Sequence, residues 1–450
     1  MRPILPAFDL FVSPVLPHEF ARELAAIDEI LCSNATFAQL VWKDLQSDAR
    51  PNRRTVGRPG LPADVVLRAA LIKQMNGFSY EELAFHLADS RTYLRFCGFT
   101  HPLEAPAKSA LAHNIKRISG ETWEQINQLV VQYARAKGME DGKKLRIDPT
   151  VSETNIHHPT DNALLFDCVK TLARILARAH ESFDVPFHNR SRRAKRRHME
   201  IVNAKRQAQR LKPYKDLLKV TREMIRSAQR AIEPLRREAG PFAGLARKLA
   251  DRLEHYLPLV EQVVSQTQRR VFHGESVPAD EKLVSIFEPH TDIIRKDGRN
   301  TYYGHKVTLT GGRSGLVVDW VIEDGNPADV TLFLRMLDRH HQQYGHYPRQ
   351  VAADGALASK DNLEDAKRRG VKDVVFAKKR SLSVDDMASS PWVYRQLRNF
   401  RAGIEGVISF LKRVFGLRRC TWKGASSFAS YIGASIVSAN LLLLARHLIS

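Results

Sequence analysis

Leu145-Arg146-Ile147-Asp148 alternates apolar and charged residues and ends on a carboxylate, and Val351-Ala352-Ala353-Asp354 ends on another just before Gly355. Both runs read as short strands, the first starting at Lys143, so each places an aspartate at a strand end. A third carboxylate, Glu405, falls in a long helical segment from about Trp392 to Phe415. Arg401 precedes it by four residues and Lys412 follows by seven, so all three share one helix face. Two carboxylates from strand ends and one from a helix can converge and hold a pair of Mg²⁺ ions, for which Mn²⁺ can substitute. One aspartate at a strand end is ordinarily a turn or cap residue. The three taken together, in this order, are what point to chemistry.

The chain's charge says which substrate such a site would meet. Its 450 residues carry 70 Lys and Arg against 49 Asp and Glu, a net charge of +21. A balance that basic suits a polyanion, either nucleic acid or an anionic membrane surface. The length implies two or three domains. Cys32, Cys97, Cys168 and Cys420 are scattered without metal-ligand spacing, which argues against structural zinc or a disulfide framework and fits a reducing cytoplasm. Met1-Arg2-Pro3-Ile4-Leu5-Pro6 has no apolar core of the signal-peptide kind. Ala425 to Ala445 is uncharged and long enough to span a bilayer. Its five serines and Asn440 favour a buried closing helix instead, so no membrane span is expected.

Periodicity divides the chain. Residues 1–138 read as an all-helical domain, with a helix from Leu61-Pro62-Ala63-Asp64, a break at Gly77-Phe78, and a second helix opened by a Ser79/Glu82 capping box. A helix-turn-helix and a plain helical bundle fit that spacing equally. Residues 161–280 are expected to form a basic helical insertion, broken at Glu233-Pro234 and Gly240-Pro241 into three helices. Six of the eight residues from Arg190 to Arg197 are cations, a density that phosphate neutralisation explains better than solubility does. Strand character returns at Leu283–Phe287, Tyr302–Thr310 and Leu316–Ile322, the last two forming a hairpin around Gly311-Gly312-Arg313-Ser314-Gly315. A helix from Asp329, the strand ending at Asp354, a helix near 360–369 and a strand at Val371–Ala377 follow. Residues 139–160 and 281–450 thus form one α/β domain interrupted by the insertion.

Without residues 160–280 the order is strand, strand, strand, helix, strand, helix, strand, helix. The acidic residues fall on the first strand, the fourth strand and the last helix. In this the chain resembles a bacterial insertion-sequence transposase of the DDE superfamily. The resemblance is carried by Asp148-Pro149-Thr150-Val151-Ser152-Glu153 with Pro159-Thr160-Asp161, by Tyr303-Gly304-His305-Lys306, by Ala353-Asp354-Gly355 and by Arg401 through Lys412. Gly60-Leu61-Pro62 and Gly77-Phe78-Ser79-Tyr80-Glu81-Glu82-Leu83 resemble the family's N-terminal helical domain.

The resemblance implies a ribonuclease-H-like catalytic domain that cuts the 3′ ends of a mobile element and joins them to target DNA. Asp148 would bridge two metal ions, with Asp354 and Glu405 completing one each. Arg401 and Lys412 match the family's spacing of Arg, three residues, Glu, six residues, Lys. Three residues before Arg401 the family often has Tyr where this chain has Arg398, and Tyr394 lies one turn earlier on the same face.

Arg398, Arg401, Lys412 and Lys306 are expected on DNA phosphates, as are Arg192, Arg193, Lys195, Arg196 and Arg197 of the insertion. The adjacent His157 and His158 point opposite ways on an extended segment, so they are expected to hold structure or DNA rather than one metal. The implied partners are double-stranded DNA, as terminal inverted repeats and as target, and a second copy of the chain, since two ends must meet. The implied location is the bacterial cytoplasm, at the nucleoid. Two rivals stay open: a DNA-binding protein that keeps the fold without turnover, and another ribonuclease-H-like nuclease such as a junction resolvase, which would cut without joining.

Overall fold

The computed structural model describes residues 18–46, 60–99, 101–296, 300–378 and 381–450; the reading of Met1–Pro6 lies outside them. Helices come first: α1 (Glu19–Cys32), α2 (Thr36–Gln46), α3 (Ala63–Asn76), α4 (Tyr80–Asp89), α5 (Arg91–Phe96), α6 (Lys108–Ile115) and α7 (Gly120–Ala136). Strand β1 (Lys144–Glu153) is followed by α8 (Asp161–Phe183), α9 (Ser191–Asn203), α10 (Gln207–Arg237) and α11 (Ala243–Thr267). Then come β2 (Asp292–Lys296), β3 (Asn300–Gly311), β4 (Val317–Ile322), α12 (Leu332–Tyr344), β5 (Gln350–Ala353), α13 (Lys360–Arg368) and β6 (Asp373–Phe376). Helices α14 (Val384–Met387), α15 (Pro391–Val414) and α16 (Ala425–Ile449) close the chain. Two compact units result, Met1–Glu153 with Lys306–Ser450, and Thr154–His305.

In the first unit β1 pairs in parallel with β5, and β5 with β6, while β3 and β4 form the antiparallel hairpin expected around Gly311–Gly315. The order β4, β3, β1, β5, β6 makes one mixed sheet in a mixed α/β unit. Leu145 and Ile147 of β1 lie in one apolar core with Phe333 and Met336 of α12, and with Tyr394 and Leu397 of α15. Arg146, on the alternate side of β1, is buried and donates from Nη1 to Phe400 O at 3.2 Å. Its guanidinium lies 5.0 Å from the Phe400 ring centroid. A Cβ at Gly403 would fall 2.3 Å from Arg146 Nη1, so a glycine there is what lets α15 lie close to the sheet.

The helical N-terminal residues share a second core with α16 and with Val307, Leu309, Val317 and Trp320 of the hairpin. Here α16 is explained. It is long and apolar enough to cross a membrane, yet most of it is buried. Several of its polar residues have an internal partner. Ser430 donates to Ile118 O, Ser435 accepts from Gln74, and Asn440 bonds both Asn127 and the backbone of Val317. A bilayer offers no such partners, whereas a folded protein core does. The Ser79/Glu82 capping box is present, and Gly77 ends α3 in the left-handed conformation at φ +67°. Helix α4 carries Glu81, Glu82 and Asp89 and no Lys or Arg, an unusual charge for a helix that enters a DNA groove.

In the second unit α8, α9, α10 and α11 pack around one apolar core, four helices where three were expected. Gly240-Pro241 does separate α10 from α11. Glu233-Pro234 does not break the chain: Pro234 sits in the last turn of α10, which runs on to Arg237 with Leu235 buried. Residues 283–287 are not a strand. Leu283 and Ile286 are apolar because they cover the helices, and the Gln266 amide takes both backbone groups of Leu283. The strand that the sequence reading missed is β2, antiparallel to the first half of β3.

One buried histidine sets a pH limit on the first unit. His340 bonds Gly142 O through Nε2 at 2.9 Å and stacks on Tyr344 at 4.3 Å. Burial pushes its pKa from the ordinary 6.5 down to about 4. As pH falls from about 6.5 to about 4 the unfolded chain binds this proton before the folded one, so stability declines through that window. The loss is ~3 kcal/mol at most. The urea midpoint of the wild type should fall over that range, and His340→Gln should flatten that part of the profile. Equal slopes would remove His340 as the cause.

Candidate active site

Strand register builds the first half of the site. Ile147 of β1 is the partner of Ala353 of β5, so the next residues, Asp148 and Asp354, stand abreast. Asp354 follows the end of β5, but β1 runs on to Glu153, so Asp148 lies in mid-strand and not at the strand end expected from its sequence. The Asp354 N–H still donates to Ile147 O at 3.3 Å, after which the chain turns into a short 3₁₀ helix, Gly355–Leu357. Gly355 has a local reason. A Cβ there would meet Lys378 Cβ at 2.7 Å and Lys378 N at 3.0 Å, so the backbones pass too closely for a side chain.

Helix α15 supplies the rest. Arg401 reaches down from it, mostly buried, and binds all three carboxylates. Its Nη2 donates to Asp148 Oδ2 at 3.0 Å and to Asp354 Oδ1 at 3.0 Å, and its Nη1 to Glu405 Oε1 at 2.7 Å. The Asp148 side chain is 10% exposed, that of Asp354 31% and that of Glu405 61%, so the site grades from floor to solvent. Three negative charges around one guanidinium leave a local surplus of two. That surplus and the all-oxygen donor set suit hard divalent cations. Among the described residues no three His, Cys, Asp or Glu stand close enough to grip an ion as they are, because the guanidinium occupies the space between the three. In donor chemistry the three carboxylates suit such ions, and Arg401 is the cation that neutralises them in this structure.

Next to the carboxylates, Arg395, Arg398, Arg401 and Glu405 of α15 line an open cleft of about 410 Å³ with the end of β6. Arg398 is exposed there, its guanidinium 5.9 Å from the ring centroid of Tyr394. Tyr394 itself is buried in the core, so it does not stand in as an exposed contact. Lys412 is half-buried further along α15. Lys306 is buried with its ammonium on Pro327 O and Asp329 Oδ1, both at 2.6 Å, a placement that gives no support to a phosphate contact.

In the second unit, Arg192, Lys195 and Arg196 are exposed on α9, whereas Arg193 and Arg197 are tied to Asp216 and Glu200. His157 bonds Asp167 at 2.6 Å, and Asp161 pairs with Arg270. His305 lies 2.7 Å from the His290 ring and 2.8 Å from Asp292. Sequence reading missed Arg146 as the seat of α15. The signal was available: Arg146 and Asp148 are two residues apart on one face of a strand, the face that meets Phe400 and Arg401.

Residues 277–441 match the family described as a transposase DDE domain, a span that holds Asp354 and Glu405 but not Asp148. Residues 26–117 match a second family, described as a transposase domain (DUF772). No curated protein and no solved structure matches the chain. Two transposase domains in this order, with the carboxylates gathered on Arg401, place the chain among the bacterial insertion-sequence transposases of the DDE superfamily.

Proposed function

We propose that this transposase binds the terminal inverted repeats of its own mobile element as double-stranded DNA, cuts the 3′ ends with water, and joins each 3′-hydroxyl to target DNA. The family acts on DNA and generally uses divalent metal ions. The observation that carries the reading is the convergence of Asp148, Asp354 and Glu405 on Arg401. The sheet is read as ribonuclease-H-like, with 139–160 and 281–450 as the catalytic domain, 161–280 as its insertion and 1–138 as the part that reads the element's ends. The working form on DNA is a dimer in the bacterial cytoplasm, at the nucleoid, because two ends must be brought together.

Asp148, Asp354 and Glu405 would hold two Mg²⁺, or Mn²⁺, with Asp148 shared between them. When bound, the ions neutralise the scissile phosphate and lower the pKa of an attacking oxygen. The chain's own groups set the geometry. The β1–β5 register fixes the two aspartates, and α15 fixes Glu405 above them. Arg398, exposed at the cleft, and Lys412 face the DNA backbone along the same helix. Arg401 neutralises the carboxylates and so competes with any ion for them.

Two outcomes follow. On a labelled duplex carrying the element's end, cutting and joining require Mg²⁺ or Mn²⁺ and disappear in Asp148→Asn. Cutting without joining would instead assign a plain nuclease, and salt-sensitive binding with no cutting would assign a binding protein. Arg401→Gln removes the competitor. Its metal-free form should be less stable by about 2 kcal/mol, since Asp148 loses a mostly buried partner while Glu405 is solvated. Its melting temperature should respond to Mn²⁺ at several-fold lower concentration than the wild type does. An unchanged Mn²⁺ response would show that Arg401 and the ions do not share the carboxylates.

A further inference from the structure

Helix α10 is 31 residues long and buries one face, including Leu217, Val220, Met224, Ala228 and Leu235, in the core of the second unit. Its opposite face carries Lys212, Lys215, Lys219, Arg222, Arg226 and Arg230, all exposed. Their spacings are three or four residues, so they form one stripe of five helical turns, about 27 Å long. Like charges at these spacings repel and cost helix stability, so a stripe of six needs an external counter-charge to be useful.

The three acidic residues of α10 could have neutralised the stripe but are engaged by other arginines, Glu233 by Arg237. Asp216 is held by Arg193 and by Arg197, whose Nε lies 2.5 Å away, and those bonds keep its carboxyl down at about 2. Glu223 is held by Arg190 at 2.6 Å. The interface between α9 and α10 thus consumes both carboxylates together with half of the Arg190–Arg197 cations. Among the described residues none of Lys212, Lys215, Lys219 and Arg226 has a carboxylate partner, and Arg222 meets only the Gln268 amide. Five of these cations line an open groove of about 830 Å³ beside α9.

We propose that this α10 stripe, rather than the denser cation run of α9, is the surface by which the second unit grips the phosphate backbone of double-stranded DNA. It does so without reading sequence. The proposal rests on the reading of the chain as a DNA-acting transposase. The chemistry is that of a straight positive rod along a polyanion carrying about one charge per 1.7 Å of axis. A row of cations laid along the phosphates positions a protein without reading bases, so its contribution is uniform across sequences.

The test is binding of the full-length protein to a random-sequence duplex, by fluorescence anisotropy, over a series of salt concentrations. Lys212→Gln/Lys215→Gln/Lys219→Gln should lower the slope of log K against log salt by about 2.7 and weaken binding at least about tenfold near 0.15 M salt. The charge-preserving Lys212→Arg/Lys215→Arg/Lys219→Arg should restore the wild-type slope. Arg192→Gln/Lys195→Gln/Arg196→Gln, on α9, should change the slope by much less.

If wild-type and Gln-variant slopes are equal, with an unchanged circular dichroism melt, the proposal is overturned while DNA binding by the protein stands. A wild type that binds no duplex at all overturns the underlying reading instead. If the Gln variant binds DNA normally but loses self-association in sedimentation, the stripe belongs to contacts between copies, and the proposal is again overturned.

Discussion

The parallel pairing of β1 with β5 is the constraint from which the site follows. With Ile147 opposite Ala353, the residues immediately after them stand side by side where β5 ends and β1 runs on. Both are aspartates, and two carboxylates that close repel unless a cation lies between them. Arg401 supplies that cation and draws in Glu405 from its own helix. A one-residue slip would turn Asp148 to the other face of β1 and exchange it for Ile147. Arg146 opposes such a slip, since it must fill the space that Gly403 leaves beneath α15.

The same logic runs through the rest of the molecule: charge is buried only where a partner holds it. Glu323 accepts from Thr308 at 2.6 Å and is bound by Arg335, and Lys306 is bound by Asp329. Asn127 and Asn440 satisfy each other and the start of β4. On the second unit the rule inverts. There the acids are used up against α9, and a run of cations is left facing solvent. Such an arrangement is stable only because lysine and arginine heads are well hydrated, and it becomes favourable when phosphates displace that water and its counterions.

Much of this could be read from the residues. Alternation gave β1 and the hairpin, capping chemistry gave the start of α4, and the order of strands and helices led to Asp148, Asp354 and Glu405. What could not be read depended on partners distant in sequence. Leu283–Phe287 has strand-like composition, but its apolar groups serve helices, and among the described residues no strand pairs with it. Pro234 resembles a helix breaker, yet in the last turn of α10 it costs little, because the buried Leu235 holds that turn to the core. The cation run at Arg190–Arg197 looked like the natural DNA grip. Sequence alone could not show that Asp216, Glu200 and Glu223 would fold against it. Nor could it show that a guanidinium, four residues before Glu405, would stand at the centre of the carboxylates.

The most direct test of the central claim is to locate the metal. Fe²⁺ with ascorbate, used in place of Mg²⁺, generates hydroxyl radicals that cut the polypeptide close to a bound ion, and the fragments can be mapped by mass spectrometry. The account predicts cuts clustered beside Asp148, Asp354 and Glu405, suppressed by excess Mg²⁺ and absent in Asp148→Asn. Cuts confined to other parts of the chain, or the same cuts in Asp148→Asn, would contradict it.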